Sequence, residues 1–150
     1  MNAYYYETII GRIGLVENGH AITYVSFGDM DTKDFVIKET ELLKKASKQL
    51  TEYFEGKRRE FDLPLEPIGT DFQLKVWKAL QEIPYGETRS YKQIAERVGN
   101  DKASRAVGLA NNRNPISIFI PCHRVIGSNG KLVGYGGGLD IKEKLLNLEK

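Results

Sequence analysis

Cysteine and histidine are scarce in this sequence of 150 residues, which contains one cysteine, Cys122, and two histidines. A single cysteine excludes an internal disulfide, and one cysteine with two histidines is too few for a protein-only zinc site built from Cys and His ligands. No apolar run approaches the roughly 20 residues of a membrane span. The first residues also lack the basic and apolar blocks of a signal peptide. We therefore expect a cytoplasmic protein that holds no metal and uses no cofactor.

Charge is nearly balanced overall, with a formal net charge of +2, but it is unevenly distributed along the chain. Residues 1–65 carry nine Lys and Arg against eleven Asp and Glu, whereas residues 86–131 carry eight against three. A basic segment of this kind suits a polyanion such as nucleic acid. A solvated basic face with no partner would have the same composition, so charge alone leaves both interpretations open.

The only cysteine lies where a short apolar run meets a proline. The β-branched run Ile118–Ile120 predicts a buried strand. Pro121 cannot continue a central strand, so we expect the chain to turn at the thiol of Cys122. Free cysteines are most often small buried hydrophobic residues. Because the next two residues are His and Arg, however, a cationic neighbourhood would favour the thiolate, which is the nucleophilic form.

The first part of the chain predicts a small antiparallel sheet followed by a helix. Asn18-Gly19 lies between two apolar segments and is a strong β-hairpin signal. Apolar residues then recur at helical spacing within residues 36–54. The segment 58–68 contains two prolines and predicts an extended connection. We therefore expect a sheet-and-helix domain over residues 1–66 and a second domain over residues 67–150.

Periodicity and capping residues predict four helices in the second part of the chain, at about residues 70–83, 91–98, 102–112 and 142–149. The second and third of these are short and joined by a turn containing Gly99, which predicts a helix-turn-helix. The third helix carries mostly small side chains, and Arg105 is the longest side chain in its first turns. A helix that reads the major groove instead projects several long polar side chains. The bare surface of the third helix suits a close approach to DNA, although a helix packed inside the protein would also use small residues.

Five short motifs follow one another in this second part: Pro84-Tyr85-Gly86-Glu87, Ser90-Tyr91, Lys102-Ala103-Ser104-Arg105-Ala106-Val107-Gly108, Asn114-Pro115 and Pro121-Cys122-His123-Arg124-Val125. Together they resemble the alkylguanine-DNA alkyltransferases, also called methylated-DNA–protein-cysteine methyltransferases. The resemblance runs nearly ungapped from about Phe72 to the C-terminus, while residues 1–65 resemble the family only in length and element order. It implies an α+β fold. A ribonuclease H-like sheet-and-helix domain would precede a mostly helical, winged helix-turn-helix domain that carries the cysteine.

The resemblance also implies an activity. Cys122 would accept an alkyl group directly from O6 of a damaged guanine in double-stranded DNA, with O4-alkylthymine as a second candidate substrate. Family members flip the damaged base out of the duplex and place the helix-turn-helix in the minor groove. The product is a thioether with no good leaving group, so each molecule would act once. We expect a monomer with no obligate protein partner, no membrane association and no cofactor.

Roles for individual residues follow from the same resemblance. His123 would activate the thiol through a water molecule and would be oriented by Glu149. Asn114 would brace the turn beside the cysteine. Arg105 would fill the gap that the flipped base leaves, and Tyr91 would contact the base and its phosphate.

Further residues are assigned to the DNA and to the base pocket. Asn100 and Ser128 fall on DNA-contact positions, and Tyr135 would form a wall of the pocket. Gly136 stands where some relatives have serine, so any contact there would come from its backbone amide. Ser117 stands where some relatives have proline, which leaves the tolerance for bulky alkyl groups open.

Two other classes of protein share parts of this pattern. A winged-helix regulator would use the same helix pair with Cys122 merely buried, but the second helix lacks base-reading side chains. A cysteine hydrolase would use Cys122, His123 and a glutamate, but it would leave the basic helix pair unexplained. The alkyltransferase interpretation accounts for both features, and we adopt it as the prediction.

Overall fold

The computed structural model of the chain describes residues 1–132, 134–135 and 137–150. Contacts divide the chain into two compact units, an N-terminal unit, Met1–Pro67, and a C-terminal unit, Ile68–Lys150. Over the described residues, no helix is both long enough and apolar enough to cross a membrane. The same residues contain no group of three or more His, Cys, Asp or Glu side chains that could hold a metal ion.

The N-terminal unit is a four-stranded sheet with one helix. Its elements are β1 (Asn2–Thr8), β2 (Gly11–Glu17), β3 (Ile22–Phe27), β4 (Val36–Ile37) and α1 (Glu41–Phe54). The strand order is β3-β2-β1-β4, with antiparallel pairs except between β1 and β4, which run parallel. The apolar face of α1 is buried in the core of this unit, mainly through Leu43, Leu50 and Tyr53. Full burial of each such side chain stabilises the fold by roughly 1.5–3 kcal/mol.

The predicted hairpin at Asn18-Gly19 is confirmed. The Oδ1 atom of Asn18 accepts hydrogen bonds from the backbone amides of His20 and Ala21, both at 2.9 Å, which closes the turn between β2 and β3. Gly19 has φ 94°, a conformation that costs glycine little because it has no Cβ atom.

The helix predicted within residues 36–54 begins later than its pattern indicated. Val36 and Ile37 form β4 instead, paired with Asn2 and Ala3 at the edge of the sheet. The β-branched pair fits an open strand edge, and Thr40 then starts the helix by accepting a hydrogen bond from the Leu43 amide.

The C-terminal unit contains the four predicted helices and a two-stranded ribbon. Its elements are α2 (Asp71–Gln81), β5 (Arg89–Ser90), α3 (Tyr91–Arg97), α4 (Ser104–Asn112), β6 (Val125–Ile126) and α5 (Leu139–Leu148). The third helix begins two residues later than the sequence predicted, and the fourth begins three residues earlier. A short 3₁₀ helix, Cys122–Arg124, directly precedes β6.

Local capping explains where α2 and α3 begin. Thr70 accepts a hydrogen bond from the Gln73 amide, and the Gln73 side chain accepts one from the Thr70 amide. Ser90 and Gln93 form the same capping box at the start of α3. Such caps stabilise a helix by about 1 kcal/mol each.

A buried tryptophan fixes α4 against α2. The indole Nε1 of Trp77 donates a hydrogen bond of 2.8 Å to the backbone carbonyl of Ala110, and Val107 packs in the same core. The β5–β6 pairing joins Arg89 to Val125 and so holds the end of the cysteine segment beside the start of α3. These contacts position the helix pair and the cysteine relative to each other.

Candidate active site

The segment before the cysteine is a tight turn, and the prediction of a buried strand at Ile118–Ile120 is wrong. Asn114 explains the difference. Its Nδ2 donates to the Ile120 carbonyl at 2.8 Å, and its Oδ1 accepts from the Ile116 amide at 3.0 Å. These backbone groups therefore bind a side chain rather than a neighbouring strand. The predicted turn at Pro121 is present, and it leads directly into the 3₁₀ helix that begins at Cys122.

The turn holds one residue in an unusual backbone conformation. Ile118 has φ 75°, the only positive value among the described non-glycine residues. For a β-branched residue such a conformation costs on the order of 1–3 kcal/mol. Its side chain is buried together with those of Ile116 and Ile120, and this burial holds the strained turn in place.

Cys122 is buried, with 2% of its surface exposed. Its Sγ lies 4.0 Å from the Ser117 hydroxyl oxygen. Burial raises the pKa of the thiol, and this effect outweighs hydrogen bonding from Asn114 and Ser117 and the charge of Lys142, which lower it. The resting thiol is therefore protonated. We expected neighbouring cations to favour the thiolate, but desolvation dominates because the thiol is fully buried.

His123 lies directly against Glu149, as the predicted relay requires. Its Nε2 is 2.8 Å from Oε2 of Glu149, and both side chains are almost fully buried. Burial lowers the pKa of His123 more than Glu149 raises it, so the imidazole is neutral at pH 7. With Nε2–H donating to the carboxylate, Nδ1 is left as an acceptor. That Nδ1 atom has no hydrogen-bond partner in the part of the chain that the structure describes.

Arg124 completes this cluster through contacts that the sequence did not predict. Its Nε and Nη2 donate to the two carboxylate oxygens of Glu149 at 2.8 and 3.0 Å. Its Nη1 donates to the Ile83 carbonyl at 2.7 Å. Removing one partner of a buried ion pair typically costs about 3–5 kcal/mol. Arg124 therefore holds the carboxylate of Glu149 in place with two hydrogen bonds.

Lys142 is a second residue that the sequence reasoning missed. It lies in α5, its side chain is fully buried, and its Nζ donates to the Gly134 carbonyl at 3.4 Å. Burial lowers the pKa of Lys142 to about 8, against the attraction of the Cys122 thiolate, which raises it. Lys142 is three residues before the buried Leu145, so a lysine on the apolar face of the closing helix was the available signal.

A groove of about 510 Å³ lies along the helix pair and collects several predicted DNA contacts. Tyr91, Arg105 and Ser128 line it. Gly108 lies beside the ring of Tyr91, and a Cβ atom there would make an ordinary van der Waals contact of 3.8 Å with that ring. Arg105 is exposed near the start of α4, and its predicted role as the plug stays a prediction.

The remaining predicted residues have different surroundings. Asn100 is exposed in the turn before α4, where its Oδ1 accepts a hydrogen bond from the Lys102 amide, and it does not line the groove. Tyr135 is partly buried and follows Gly134, which does line the groove. Gly136 lies outside the described residues.

Two family models match the chain. One describes the DNA-binding domain of 6-O-methylguanine DNA methyltransferase and matches residues 71–150. The other describes the ribonuclease-like domain of the same protein and matches residues 1–67. Between them they account for nearly the whole chain, including the part that resembled the family only in length and element order.

Relatives that carry this family's name match over almost their full length. A methylated-DNA–protein-cysteine methyltransferase of Methanosarcina acetivorans is 55% identical over 148 residues, which cover 96% of this chain and 95% of the relative. The corresponding protein of Methanosarcina barkeri is 54% identical over 153 residues, with 97% of each chain covered. The structure of Mycobacterium tuberculosis OGT in complex with DNA superposes with a TM-score of 0.94 at 47% identity, covering 100% of this chain and 93% of that one. These matches confirm the predicted resemblance and the predicted fold class.

Proposed function

This chain belongs to the 6-O-methylguanine DNA methyltransferase family, and from that premise we propose how its own residues perform DNA repair. The protein removes an alkyl group from O6 of guanine in double-stranded DNA and transfers it to Sγ of Cys122. O4-alkylthymine is a second substrate of the same site. The observation that carries the proposal is the buried His123–Glu149 contact, 2.8 Å long, directly after the buried cysteine.

The first step is removal of the thiol proton. Because burial raises the pKa of Cys122, the thiol needs a base close by. The Nδ1 atom of the neutral His123 takes the proton, directly or through one water molecule. Glu149 then stabilises the resulting imidazolium through Nε2, while Arg124 holds the carboxylate in place. Lys142 favours the thiolate with its positive charge.

The second step is displacement at the alkyl carbon. Sγ forms a bond to that carbon as the carbon–O6 bond breaks, and the bonding electrons move to O6. The guanine that leaves takes up one proton and regains its ordinary form, and the His123 imidazolium returns that proton through water, so that the proton lost by the thiol ends on the guanine. A protein hydroxyl group that donates a hydrogen bond to the guanine ring lowers the barrier. Tyr91 or Tyr135 supplies this hydroxyl group. Burial and the charge of Cys122 both raise the pKa of Tyr91, which keeps its hydroxyl protonated and able to donate.

The helix pair brings the lesion to the thiol. Arg105, Tyr91 and Ser128 line one groove, and the nearby Asn100 is exposed to solvent. We assign α4 to the minor groove, with Arg105 filling the space of the flipped base and Asn100 and Ser128 contacting the strand. Flipping costs a few kcal/mol of stacking, which contacts in the pocket and the arginine offset. A bare helix surface allows the backbone to approach the DNA closely.

We further propose that the protein acts as a cytoplasmic monomer, with DNA binding and alkyl acceptance confined to residues 67–150. The domain of residues 1–66 contributes no residue to the chemistry. A winged-helix regulator would have no use for the His123–Glu149 pair. A cysteine hydrolase would have no use for the basic groove. Neither is favoured over repair.

Stoichiometry tests the proposal. A thioether at Cys122 cannot be displaced by water, so methyl transfer from DNA containing O6-methylguanine should stop at about one lesion per protein molecule. Intact-mass measurement should show one added methyl group, and peptide mapping should locate it at Cys122. Turnover beyond one equivalent would contradict the proposal and favour a hydrolase or demethylase.

A further inference from the structure

Two asparagines on or just beyond α4 are turned toward the cysteine segment, and they are used differently. Asn114 employs both ends of its amide, donating to the Ile120 carbonyl and accepting from the Ile116 amide. Asn111, three residues earlier, is 2% exposed and donates from Nδ2 to the Cys122 carbonyl at 3.4 Å. Its Oδ1 is buried and accepts no hydrogen bond from any described residue.

An unsatisfied acceptor in this position requires a reason. Burial of a polar atom without a partner destabilises the folded protein, so such atoms are uncommon in native structures and often mark functional sites. A second atom of this kind, His123 Nδ1, also flanks Cys122, and the repair chemistry gives it a purpose. Asn111 has none in that mechanism. It is nevertheless bonded to the backbone of the nucleophile itself.

The substrate offers a donor for this atom. Cys122 is only 2% exposed, so any base that reaches Sγ must open the contacts covering the thiol, and it then meets the side chains around it. Alkylation at O6 removes the N1 proton of guanine, which leaves the exocyclic 2-amino group as the only donor on its Watson–Crick edge. O6 and the 2-amino group share that edge. When the O6 substituent reaches Sγ, the amine therefore faces the residues that surround Cys122.

Resting on the proposed function, we propose that Asn111 is a specificity-determining residue that recognises the 2-amino group of the flipped O6-alkylguanine. Its Oδ1 accepts a hydrogen bond from that group, while its Nδ2 remains on the Cys122 carbonyl. An amide suits this place because it supplies an acceptor without a negative charge. A carboxylate there would disfavour the thiolate at Cys122.

The test compares two lesions that differ only in this group. Duplex DNA carries either O6-methylguanine or O6-methylhypoxanthine, which lacks the 2-amino group, and the rate constant for methyl transfer to Cys122 is measured. Asn111→Leu keeps the side-chain size but removes the acceptor. We expect the variant to lose about tenfold on O6-methylguanine and less than about twofold on O6-methylhypoxanthine, so that the wild-type preference disappears.

Two further variants keep the test decisive. Asn111→Asp retains an acceptor oxygen, so it should retain a preference for the amine even if its negative charge slows both reactions. Asn111→Ala also lacks the acceptor and replaces Asn111→Leu if that variant does not fold. Alkylation of Cys122 by iodoacetamide reports separately on the reactivity of the thiol in each protein.

The outcomes separate this inference from the proposed function. An equal loss on both lesions in Asn111→Leu, with the preference intact, would show that Asn111 only supports the turn and would overturn the inference. A wild-type protein with no preference between the lesions would overturn it as well. In both cases a single methyl group on Cys122 would still support the repair function, whereas failure of the wild type to accept any methyl group would refute that function itself.

Discussion

The two units of the chain bury polar side chains in different ways. In the N-terminal unit, Glu17 accepts a hydrogen bond of 2.7 Å from the Asn2 side chain. Gln49 binds the backbone of Asp62 through both ends of its amide, at 3.1 and 2.9 Å. Each of these buried groups has a neutral partner, and each serves to connect two segments of the unit.

The C-terminal unit instead concentrates buried ionisable groups around one thiol. His123, Arg124, Lys142 and Glu149 are each less than one-tenth exposed, and Cys122 lies among them. Burial shifts the pKa values of Cys122, His123 and Lys142. This unit is also the basic one, with thirteen Lys and Arg against eight Asp and Glu, whereas the N-terminal unit has nine against twelve.

This difference has a physical consequence. Buried ionisable groups cost folding free energy, so a cluster of them is retained where it performs chemistry. Equivalent substitutions in the two units should therefore have different effects. In the N-terminal unit they should change stability alone, and in the C-terminal unit they should change the rate of methyl transfer as well.

The largest expected effect is that of Cys122→Ala. It removes the nucleophile but leaves the groove and its basic residues intact, so methyl transfer should vanish while affinity for DNA persists. Single-turnover transfer and a DNA-binding titration measure the two properties. Methyl transfer by the variant would show that another residue accepts the alkyl group.

Loss of the relay should have the next largest effect. His123→Ala and Glu149→Gln should each slow transfer at neutral pH by roughly 100-fold, the lower end of the range for general acid–base catalysis. Raising the pH should partly restore the rate, because the raised pKa of the thiol means that more thiolate forms in alkaline solution. The measurement is the transfer rate against pH for the wild type and both variants.

Glu17→Gln is the matched control in the N-terminal unit, since it makes the same chemical change at another buried glutamate. It should lower the free energy of unfolding without changing the transfer rate. Glu149→Gln also leaves Arg124 without its carboxylate, so it should lower stability as well as the transfer rate. Urea unfolding of Glu17→Gln and Glu149→Gln measures the loss of stability separately from the loss of rate. Wild-type rates in both relay variants would remove the support for the relay.

Arg105→Ala should have an intermediate effect. Loss of the plug makes flipping less favourable, so affinity for lesion DNA and the transfer rate should both fall, by about tenfold for a contact worth about 1.4 kcal/mol. Arg97→Ala removes the same charge from α3, where Arg97 pairs with Glu82. It should weaken binding to damaged and undamaged DNA alike. If Arg105→Ala behaves like the wild type, α4 is a packing helix and the minor-groove assignment fails.

Lys142→Met should have the smallest effect. The pKa of Lys142 is about 8 in the folded protein and 10.5 ordinarily, so the unfolded chain binds more protons between these values. The free energy of unfolding should therefore gain a component that rises with pH from about 8 to about 10.5. The variant should lack this rise, and its transfer at pH 7 should be several-fold slower because the thiol loses a favourable charge.

The thiol complicates this measurement because its raised pKa contributes with the opposite sign. The folded protein holds the thiol proton to higher pH than the unfolded chain, so this contribution falls with pH. The comparison is therefore made between Cys122→Ala and Cys122→Ala/Lys142→Met. Identical pH profiles for this pair would show that burial of Lys142 does not perturb its ionisation.

Features that depend on short-range contacts could be predicted from the sequence. The hairpin at Asn18-Gly19 and the caps at Thr70 and Ser90 each involve residues no more than three apart. The helix pair follows from such local signals as well. The run Ile118–Ile120 misled the prediction because a buried turn and a buried strand have the same apolar composition. Only the amide of Asn114 distinguishes them, and its partners are set by the folded turn.

The sequence by itself determined the identity of the nucleophile, since the chain has one cysteine, and it located the basic helix pair and the family resemblance. The tertiary structure alone decided the state of that nucleophile. Arg124 follows Cys122 by only two positions in the chain, yet its side chain binds Glu149, 25 residues away. Lys142, 20 positions from Cys122, supplies the cation that favours the thiolate instead. Protonation depends on desolvation and on charges that folding brings together, and neither can be read from neighbours in sequence.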